Sequence, residues 1–519
     1  MNIILQGCVC GMGKYEKPRS GEKIWQSIGT VLICLVLFLA FLGFFAARWY
    51  VNVYGRIGFD SVLFTLSASL GGLQSDLVTN FIKGAALPAF LLWAVVCLVM
   101  FPSWMKKRIK LRFFPLRWGV ACALCGVLSL GLLTYAAFDV ELVDYVIHMF
   151  SKTELYNDEY RDPNTVEITF PEEKRNLIYI MLESMETSYM ETKDGGALPQ
   201  SLIPELEQLA KDNINFSHNT NVGGFREVSG ASWTIGAMVS HTAGVPLKVP
   251  DGIDDWQNGY GKDGVFLPGL TGISTILAEN GYNQALMVGS DANFGGRKTY
   301  YSTHGVENIY DIYTARKDGI VSPGYFVWWG MEDLYLFDYA KEKITEMAAG
   351  EEPFAFTMLT VDTHHIGGYK CELCGSDHEE NYENVISCSS RQVAAFVQWI
   401  QQQDFYENTT VIITGDHCSM DKGYFNRNVD PDYTRHVYNC FLNSAVEPAR
   451  TANRQFCAID MFPSTLAAMG CTIEGDRLGL GVNLFSNQPT LMERMGYDRF
   501  NTELAKKSDY YSERFYSAQ

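Results

Sequence analysis

The sequence predicts an all-α transmembrane anchor followed by one large α/β domain, built on a mainly parallel sheet flanked by helices. Two patterns indicate this fold class. The first 140 residues contain three long apolar runs, whereas the remainder alternates short apolar runs with helical patterns. Charge divides the chain at the same place, because residues 1–150 hold 13 basic and 7 acidic residues and the rest hold 28 and 52. An outer part this acidic argues against a nucleic-acid-binding protein.

Each apolar run is long enough to cross a bilayer as a helix. Residues 28–47, 84–101 and 118–138 contain no charged side chain, and a membrane-spanning helix needs about 20 such residues. We expect an anchor over residues 1–140 with spans at about 26–49, 83–103 and 118–138. The first run is too long for the apolar region of a signal peptide, and no small-residue cleavage site follows it.

Basic loops predict the orientation of the anchor. Lys and Arg concentrate in the N-terminal tail, up to Lys23, and between the second and third spans, at 106–117. Loops of this kind stay in the cytoplasm, so three spans place everything after residue 140 outside. Residues 57–75 are apolar but interrupted by Asp60. We expect them to be interfacial or re-entrant, because a fourth span would invert the large domain.

Seven of the 13 cysteines follow residue 150, which fits an oxidising compartment. Cys371 and Cys374 form a CxxC that resembles half of a zinc site, but no second CxxC completes it. We therefore favour a loop disulfide, with Cys388 as a candidate partner. The odd count leaves at least one thiol unpaired within the chain.

After a polar, proline-bearing segment at 141–174, interpreted as a linker, strands alternate with helices. The predicted strands are 176–182, 283–288, 354–361 and 409–414, and the predicted helices are 201–211, 392–402 and 460–469. Such alternation implies a mainly parallel sheet covered on both faces. We assign the catalytic domain to residues 175–490 and a C-terminal extension to 491–519.

Metal-competent side chains follow three of these strands. Glu183 follows the first, His364 and His365 follow the third, and Asp416 and His417 follow the fourth. In open α/β sheets, sites form beyond the carboxyl ends of the strands. Carboxylate with imidazole suits zinc or manganese. A helix cap, an ordered turn or a surface histidine explains each residue alone, but three strands ending alike favour a metal site.

A hydroxyl nucleophile is predicted within VSGASWTIGAMVSHTAGVPL, residues 228–247, where a Gly/Ser turn leads into an apolar helix. A hydroxyl at a helix N-terminus is well placed for a developing oxyanion or a bound phosphate. A metal would lower its pKa and orient it. Local chemistry does not choose among Ser229, Ser232 and Thr234. The ordinary alternatives are a helix cap for Ser232 and a first-turn position for Thr234.

Seven stretches between about residues 175 and 487 occur in an informative order: NLIYIMLESMETSYM, SGASWTIGAMVSHTAGVPL, GSDANFGGRKTYYSTHG, LTVDTHH, VIITGDH, AIDMFPSTLAAMG and RLGLGVNLFS. Together they resemble the membrane phosphoglycerol transferases of the alkaline phosphatase/sulfatase superfamily. That group includes lipoteichoic acid synthases and the transferases that modify periplasmic glucans. The resemblance covers nearly the whole outer part of the chain.

The resemblance implies a metal set of Glu183, Thr234, Asp416 and His417, with Thr234 as the nucleophile. It thereby selects one of the three hydroxyls that local chemistry leaves open. The implied cofactor is a divalent metal, with manganese favoured and zinc or magnesium as alternatives.

The resemblance also implies residues on the substrate side. His364 matches the family's substrate-side histidine, and Arg297, in GGRKTYY, matches the basic residue that holds the phosphate. A solvated loop arginine is the ordinary alternative for Arg297. His365 is a further substrate-binding candidate, and His436 is a weaker candidate for a second metal.

The implied function is transfer of phosphoglycerol from phosphatidylglycerol to an extracytoplasmic glycan or teichoic-acid-like acceptor, at the bacterial inner membrane. The alternatives are phosphoethanolamine transfer, phosphodiester hydrolysis and a catalytically inactive glycan-binding protein. The chain departs from the family in having three predicted spans where lipoteichoic acid synthases have five. It has Ile366 and Gly367 where a proline usually follows the site histidine. The C/S-x-P-x-R string of true sulfatases does not occur.

Overall fold

The computed structural model describes residues 20–55, 58–59, 62–63, 75–101, 118–248 and 264–517. The described residues within Met1–Trp49 and Val78–Asp139 form one compact unit, and those within Tyr50–Leu77 and Val140–Gln519 form the other. The basic tail before residue 20, the basic loop at 106–117 and most of the segment 57–75 lie outside the described residues.

The first unit is helical and apolar. Its helices are α1 (Ser20–Tyr54, which continues into the second unit), α2 (Ser75–Phe81), a π-helical turn (Ile82–Ala86), α3 (Leu87–Met100) and α4 (Trp118–Asp139). Among the described residues, three stretches are long and apolar enough to cross a membrane: Ile24–Tyr54, Val78–Met100 and Trp118–Asp139. They overlap the predicted spans.

The outward faces of these helices carry exposed aliphatic side chains, such as Leu39, Leu91 and Leu130, which are 53%, 54% and 68% exposed. A contiguous apolar surface of this kind is unfavourable in water and favourable in lipid. The first unit is therefore a membrane anchor.

The second unit is built on a seven-stranded sheet in the order β3-β8-β7-β2-β6-β4-β5. Its strands are β2 (Asn176–Leu182), β3 (Gly224–Phe225), β4 (Asn283–Val288), β5 (Asn308–Tyr310), β6 (Phe354–Leu359), β7 (Thr409–Gly415) and β8 (Val437–Leu442). Strands β7, β2, β6, β4 and β5 are mutually parallel, while β8 and β3 are antiparallel additions. The predicted mainly parallel α/β sheet is confirmed.

Strand β2 shows why its sequence is a continuous apolar run. Tyr179 and Met181 pack into the core on one face of the sheet, and Ile178 and Ile180 pack into the core on the other. A strand buried on both faces has no polar side to alternate with. The strand order also makes β2 central, because it lies between β7 and β6.

The helices of the second unit surround this sheet. They are α5 (Leu142–Met149), α6 (Leu155–Glu159), α7 (Pro204–Asp212), α8 (Thr234–Ala243), α9 (Ile273–Glu279), α10 (Arg297–Thr303), α11 (Ile312–Asp318), α12 (Asp333–Ala348), α13 (Asn381–Gln401), α14 (Lys422–Asn428), α15 (Met461–Ala468), α16 (Leu491–Met495), α17 (Tyr497–Ala505) and α18 (Asp509–Phe515). Short 3₁₀ turns occur at Thr187–Tyr189, Thr192–Asp194, Phe294–Gly296, Asp404–Asn408, Ala458–Asp460 and Glu474–Asp476. The three predicted helices overlap α7, α13 and α15.

The segment 141–174, which the sequence suggests is a linker, is folded and belongs to the second unit. It contains α5, α6 and strand β1 (Ile168–Thr169), which pairs with β9 (Thr472–Ile473). Tyr156 on α6 is 1% exposed and packs edge-on against Tyr511 and Phe515 of the C-terminal extension. A second small ribbon joins β10 (Arg477–Leu478) to β11 (Gly481–Val482). Polar composition concealed this structure, because a few aromatic residues carry the packing.

Candidate metal centre

Two carboxylates reach the same point from neighbouring parallel strands. Glu183 follows β2 and Asp416 follows β7, and Leu182 pairs with Gly415 in register, so both side chains leave the sheet at one level. The N–H of Ser184 donates to Asp416 Oδ1 over 2.9 Å. Asp416 Oδ2 is buried and has no hydrogen-bond partner among the described residues. A buried carboxylate oxygen left unpaired in this way fits a cation ligand.

His417 completes the group. Its Nε2 lies 3.3 Å from Asp416 Oδ2 and 3.8 Å from Glu183 Oε1. Its Nδ1–H donates to the carbonyl of Cys418 over 2.9 Å, which leaves Nε2 as the atom that faces the carboxylates. An imidazole oriented through its second nitrogen is the usual arrangement of a histidine metal ligand.

The charges of the group also favour a cation. Burial, together with the charge of Glu183, raises the pKa of Asp416 to about 7. Burial alone would lower the pKa of His417, but the charges of Asp416, Glu183 and Glu227 outweigh it and raise that pKa to about 9. The protein groups alone therefore retain protons that a divalent cation would displace. Glu183, Asp416 and His417 bring their ligand atoms within 4.8 Å of one another.

Thr234 contributes a hydroxyl at the edge of this group. It is the first residue of α8, and its Oγ1 lies 3.4 Å from His417 Nε2. Trp233 precedes it in an extended conformation, so the chain enters the helix abruptly. The backbone N–H of Ser229 donates to Asn501 Oδ1 over 2.7 Å. The structure therefore brings together the four residues predicted as the metal set.

Arg297 is a buried cation at the start of α10. Its Nε donates to the carbonyl of Phe294 over 2.9 Å, and its Nη2 donates to Ser290 Oγ and to the carbonyl of Asp291 over 2.9 and 2.7 Å. Burial lowers its pKa to about 10, against the nearby charge of Glu183. The guanidinium therefore stays charged and its orientation is fixed, unlike that of a solvated loop arginine.

His364 and His365 stack beside the group, with ring centroids 4.5 Å apart. His364 Nδ1–H donates to the carbonyl of His365 over 2.7 Å, and its ring lies 4.6 Å from that of Trp329. Burial lowers the pKa of His364 to about 4, so the imidazole is neutral near pH 7 and its Nε2 carries a lone pair. His365 is buried, and its Nδ1 lacks a hydrogen-bond partner in the described part of the chain.

Two acidic residues that the sequence does not predict as part of the site bind the backbone next to the centre. Glu186 forms a buried ion pair with Arg435 and accepts the N–H of Ser419 over 2.9 Å. Glu227 accepts the N–H of Cys418 over 2.7 Å, and burial raises its pKa to about 6. Both fix the backbone that follows His417. Neither comes directly after a strand, so the strand-end pattern could not indicate them.

His436 lies outside this group. Its ring stacks on that of His218, with centroids 3.5 Å apart, and its carbonyl accepts the N–H of Thr187 over 2.8 Å. Burial lowers its pKa to about 3. The described residues therefore do not bring it to the first metal set, and a second metal there stays a prediction.

A cavity of about 310 Å³ adjoins the start of α8. Ser232 and Glu227 line it on the side of the centre, and Lys248, Lys506 and Lys507 line it elsewhere. Lys248 Nζ donates a hydrogen bond to the carbonyl of Lys506 over 2.8 Å. Hydroxyl, carboxylate and ammonium groups around one cavity suit a polar, anionic or sugar-like ligand.

A parallel sheet whose strand ends present carboxylates and histidine to a hydroxyl at a helix N-terminus defines the alkaline phosphatase/sulfatase class. The sulfatase family profile matches residues 175–471, and the chain belongs to that family.

Curated relatives point in the same direction. The chain is 28% identical to phosphoglycerol transferase I of Xanthomonas campestris pv. campestris (strain B100) over 322 residues, which is 61% of this chain and 43% of that one. It is 26% identical to phosphoglycerol transferase I of Escherichia coli O139:H28 over 410 residues, 78% of this chain and 50% of that one. The chain spans about half the length of the curated relatives it matches.

Two solved structures are similar to part of this chain. A Vibrio parahaemolyticus protein in the alkaline phosphatase superfamily has a TM-score of 0.49 at 20% identity, with 64% of this chain and 76% of that chain covered. The lipoteichoic acid synthase of Listeria monocytogenes has a TM-score of 0.45 at 18% identity, with 62% and 79% covered.

Proposed function

We propose that the protein is a membrane-anchored, metal-dependent phosphotransferase that moves phosphoglycerol from phosphatidylglycerol to an extracytoplasmic glycan or polyglycerolphosphate acceptor. The observation that carries the proposal is the position of Thr234 Oγ1, 3.4 Å from His417 Nε2 at a helix N-terminus. The name shared by the curated relatives, phosphoglycerol transferase I, supports the choice of transferred group.

In this proposal Glu183, Thr234, Asp416 and His417 hold a divalent cation. Manganese is favoured, with zinc or magnesium as alternatives, because the donors are mainly oxygen atoms with one imidazole. When bound, the cation neutralises charge on the phosphoryl oxygens and lowers the pKa of the threonine hydroxyl. The unpaired Asp416 Oδ2 is the observation in favour of such a fit.

The side chains then divide the chemistry among them. Thr234 Oγ1 loses its proton and forms a bond to phosphorus as the bond to the diacylglycerol oxygen breaks. That oxygen takes up a proton, which leaves diacylglycerol and a glycerophosphothreonine. The dipole of α8 and the fixed guanidinium of Arg297 stabilise the anionic phosphoryl group. In the second step neutral His364 takes the proton of the acceptor hydroxyl as that oxygen bonds to phosphorus, and the bond from phosphorus to Thr234 Oγ1 breaks. We assign His365, which is stacked behind His364, a positioning role on the substrate side.

The anchor gives this chemistry its setting. We propose a multi-pass protein of the bacterial inner membrane with the second unit on the extracytoplasmic side. An anchor in the bilayer raises the effective concentration of lipid head groups at the site. The lysine-lined cavity beside Ser232 is our candidate for the acceptor or for part of the lipid head group.

Replacing Thr234 by Ala tests the nucleophile. With labelled phosphatidylglycerol and manganese, diacylglycerol release should fall by roughly 10³-fold or more, because the residual enzyme has no group to form the covalent bond. Thr345→Ala is the matched control, since it makes the same substitution at an exposed threonine of α12 and should retain turnover. Unchanged turnover in Thr234→Ala would sink the assignment.

The same assay separates the neighbouring activities. Replacing the lipid by phosphatidylethanolamine measures the head-group preference. Omitting the acceptor shows whether water suffices, because a hydrolase would release free glycerol phosphate. Faster turnover of phosphatidylethanolamine would replace the proposed donor, and full turnover without an acceptor would replace the proposed transfer by hydrolysis.

A further inference from the structure

Three thiols converge where the loop that follows His365 meets α13. Cys371 Sγ lies 3.6 Å from Cys374 Sγ and 3.8 Å from Cys388 Sγ. All three sulfur atoms lie within 4.8 Å of one another. Cys371 and Cys388 are buried, and Cys374 is half-buried. Cys388 belongs to α13, so the cluster joins a loop to a long helix.

The separations fit sulfur atoms around one ion. Zinc–thiolate bonds of about 2.3 Å place the corners of a coordination tetrahedron about 3.8 Å apart. The two separations from Cys371, 3.6 and 3.8 Å, are close to that edge. A covalent pair would need two sulfurs at about 2.05 Å and would leave the third as a thiol beside it. One ion uses all three.

The turn of the loop and one neighbouring amide orient the thiols. The N–H of Cys374 donates to the carbonyl of Cys371 over 3.1 Å, which closes the CxxC turn with both thiols on one side. Gln392 Nε2 lies 3.4 Å from Cys388 Sγ and 3.8 Å from Cys371 Sγ.

We propose that Cys371, Cys374 and Cys388 bind one thiophilic cation of the zinc type, as a structural site separate from the catalytic metal. Each thiol loses its proton to solvent as its bond to the ion forms, which leaves three thiolates and a net charge of −1. A water molecule on the side of half-buried Cys374 fills the fourth position. The ion ties the loop that follows His364 and His365 to α13. The proposal is independent of the transferred group.

The test removes the other metal site first. The full-length Asp416→Asn/His417→Gln double variant lacks two ligands of the catalytic set, so any metal that remains reports on the cysteines. Reconstituted with cobalt(II) alone, it should bind one cobalt per chain and show thiolate-to-cobalt charge-transfer absorption in the near ultraviolet. Carboxylate and imidazole ligands give no such band. Adding Cys374→Ser should abolish it, whereas Cys440→Ser, in strand β8, should leave it intact.

A second measurement covers variants that fail to fold. As-isolated wild-type protein should release one zinc per chain to a mercurial thiol reagent, because that reagent displaces metal from thiolates and leaves carboxylate and imidazole ligands intact. Intact mass after alkylation without reductant should show all three cysteines carrying the alkyl group once the metal is removed. A mass two hydrogens short with two cysteines protected would establish the disulfide instead. Cobalt absorption that survives Cys374→Ser would equally overturn the proposal.

Discussion

Ser184 illustrates how one residue positions the centre. It follows Glu183 and adopts a left-handed φ of 56°, which a residue with a side chain rarely occupies. The sharp turn aims its N–H at Asp416 Oδ1, and its own hydroxyl donates to Glu183 Oε1 over 2.7 Å. Strain of this kind persists where surrounding contacts enforce it, and it is common at functional sites. Both carboxylates are therefore oriented before any cation or substrate arrives.

His241 should make the stability of the fold depend on pH. It is fully buried in α8, its Nδ1 lies 2.8 Å from the hydroxyl of Tyr179, and burial lowers its pKa to about 3. The unfolded chain, with a pKa near 6.5, therefore binds the proton more readily, and stability present above pH 6.5 is lost as pH falls toward 3. At pH 5 the loss from this residue is about 2 kcal/mol.

Urea unfolding of the solubilised protein at pH 7 and pH 5 measures this effect. His241→Asn should lower stability at pH 7 yet lose less than wild type between the two values. Tyr179→Phe is the control, because it removes the hydroxyl partner and keeps the imidazole, so it should retain the wild-type pH dependence. An equal pH dependence in His241→Asn and wild type would rule out the histidine as its source.

The sequence predicts the strands of the sheet better than the loops and tertiary contacts around them. Strand β2 was readable because burial on both faces makes NLIYIML continuously apolar. The residue directly after β2 is Glu183, and those directly after β7 are Asp416 and His417, so the ends of the apolar runs predict these three site residues. Thr234 needed the resemblance, because three hydroxyls share one turn. Glu227 was missed because its role is to accept the N–H of Cys418, a tertiary contact without a local pattern.

The aromatic contact between α6 and α18 should be a principal attachment of the segment 141–174. Tyr156 is buried against Tyr511 and Phe515. Tyr156→Ala removes a large buried ring and should lower the free energy of unfolding by about 3–5 kcal/mol. Tyr313→Ala is the control, since that ring is 53% exposed and its loss should cost much less. Equal effects, measured by urea unfolding, would mean that the segment is not held through this contact.

Across the whole molecule, the formal charge of −18 conceals two parts of opposite sign, +6 through residue 150 and −24 beyond it. The acidic part is the one proposed to receive an anionic lipid. Repulsion from a field of that sign opposes the approach of the substrate, whereas the proposed cation and buried Arg297 reverse the sign locally. Capture of the lipid therefore depends on a short-range attraction by the proposed cation and Arg297, which acts against a long-range repulsion by the acidic surface.

The salt dependence of KM should distinguish the long-range repulsion from the short-range attraction. The Debye length is about 10 Å at 0.1 M and about 30 Å at 0.01 M ionic strength, so salt screens the distant acidic surface more than the buried centre. Raising sodium chloride across that interval should lower KM for a water-soluble, short-chain phosphatidylglycerol and leave kcat nearly unchanged. Sucrose at matched osmolality is the control. A KM that rises with salt would show instead that the lysines lining the cavity, such as Lys248 and Lys507, dominate substrate capture.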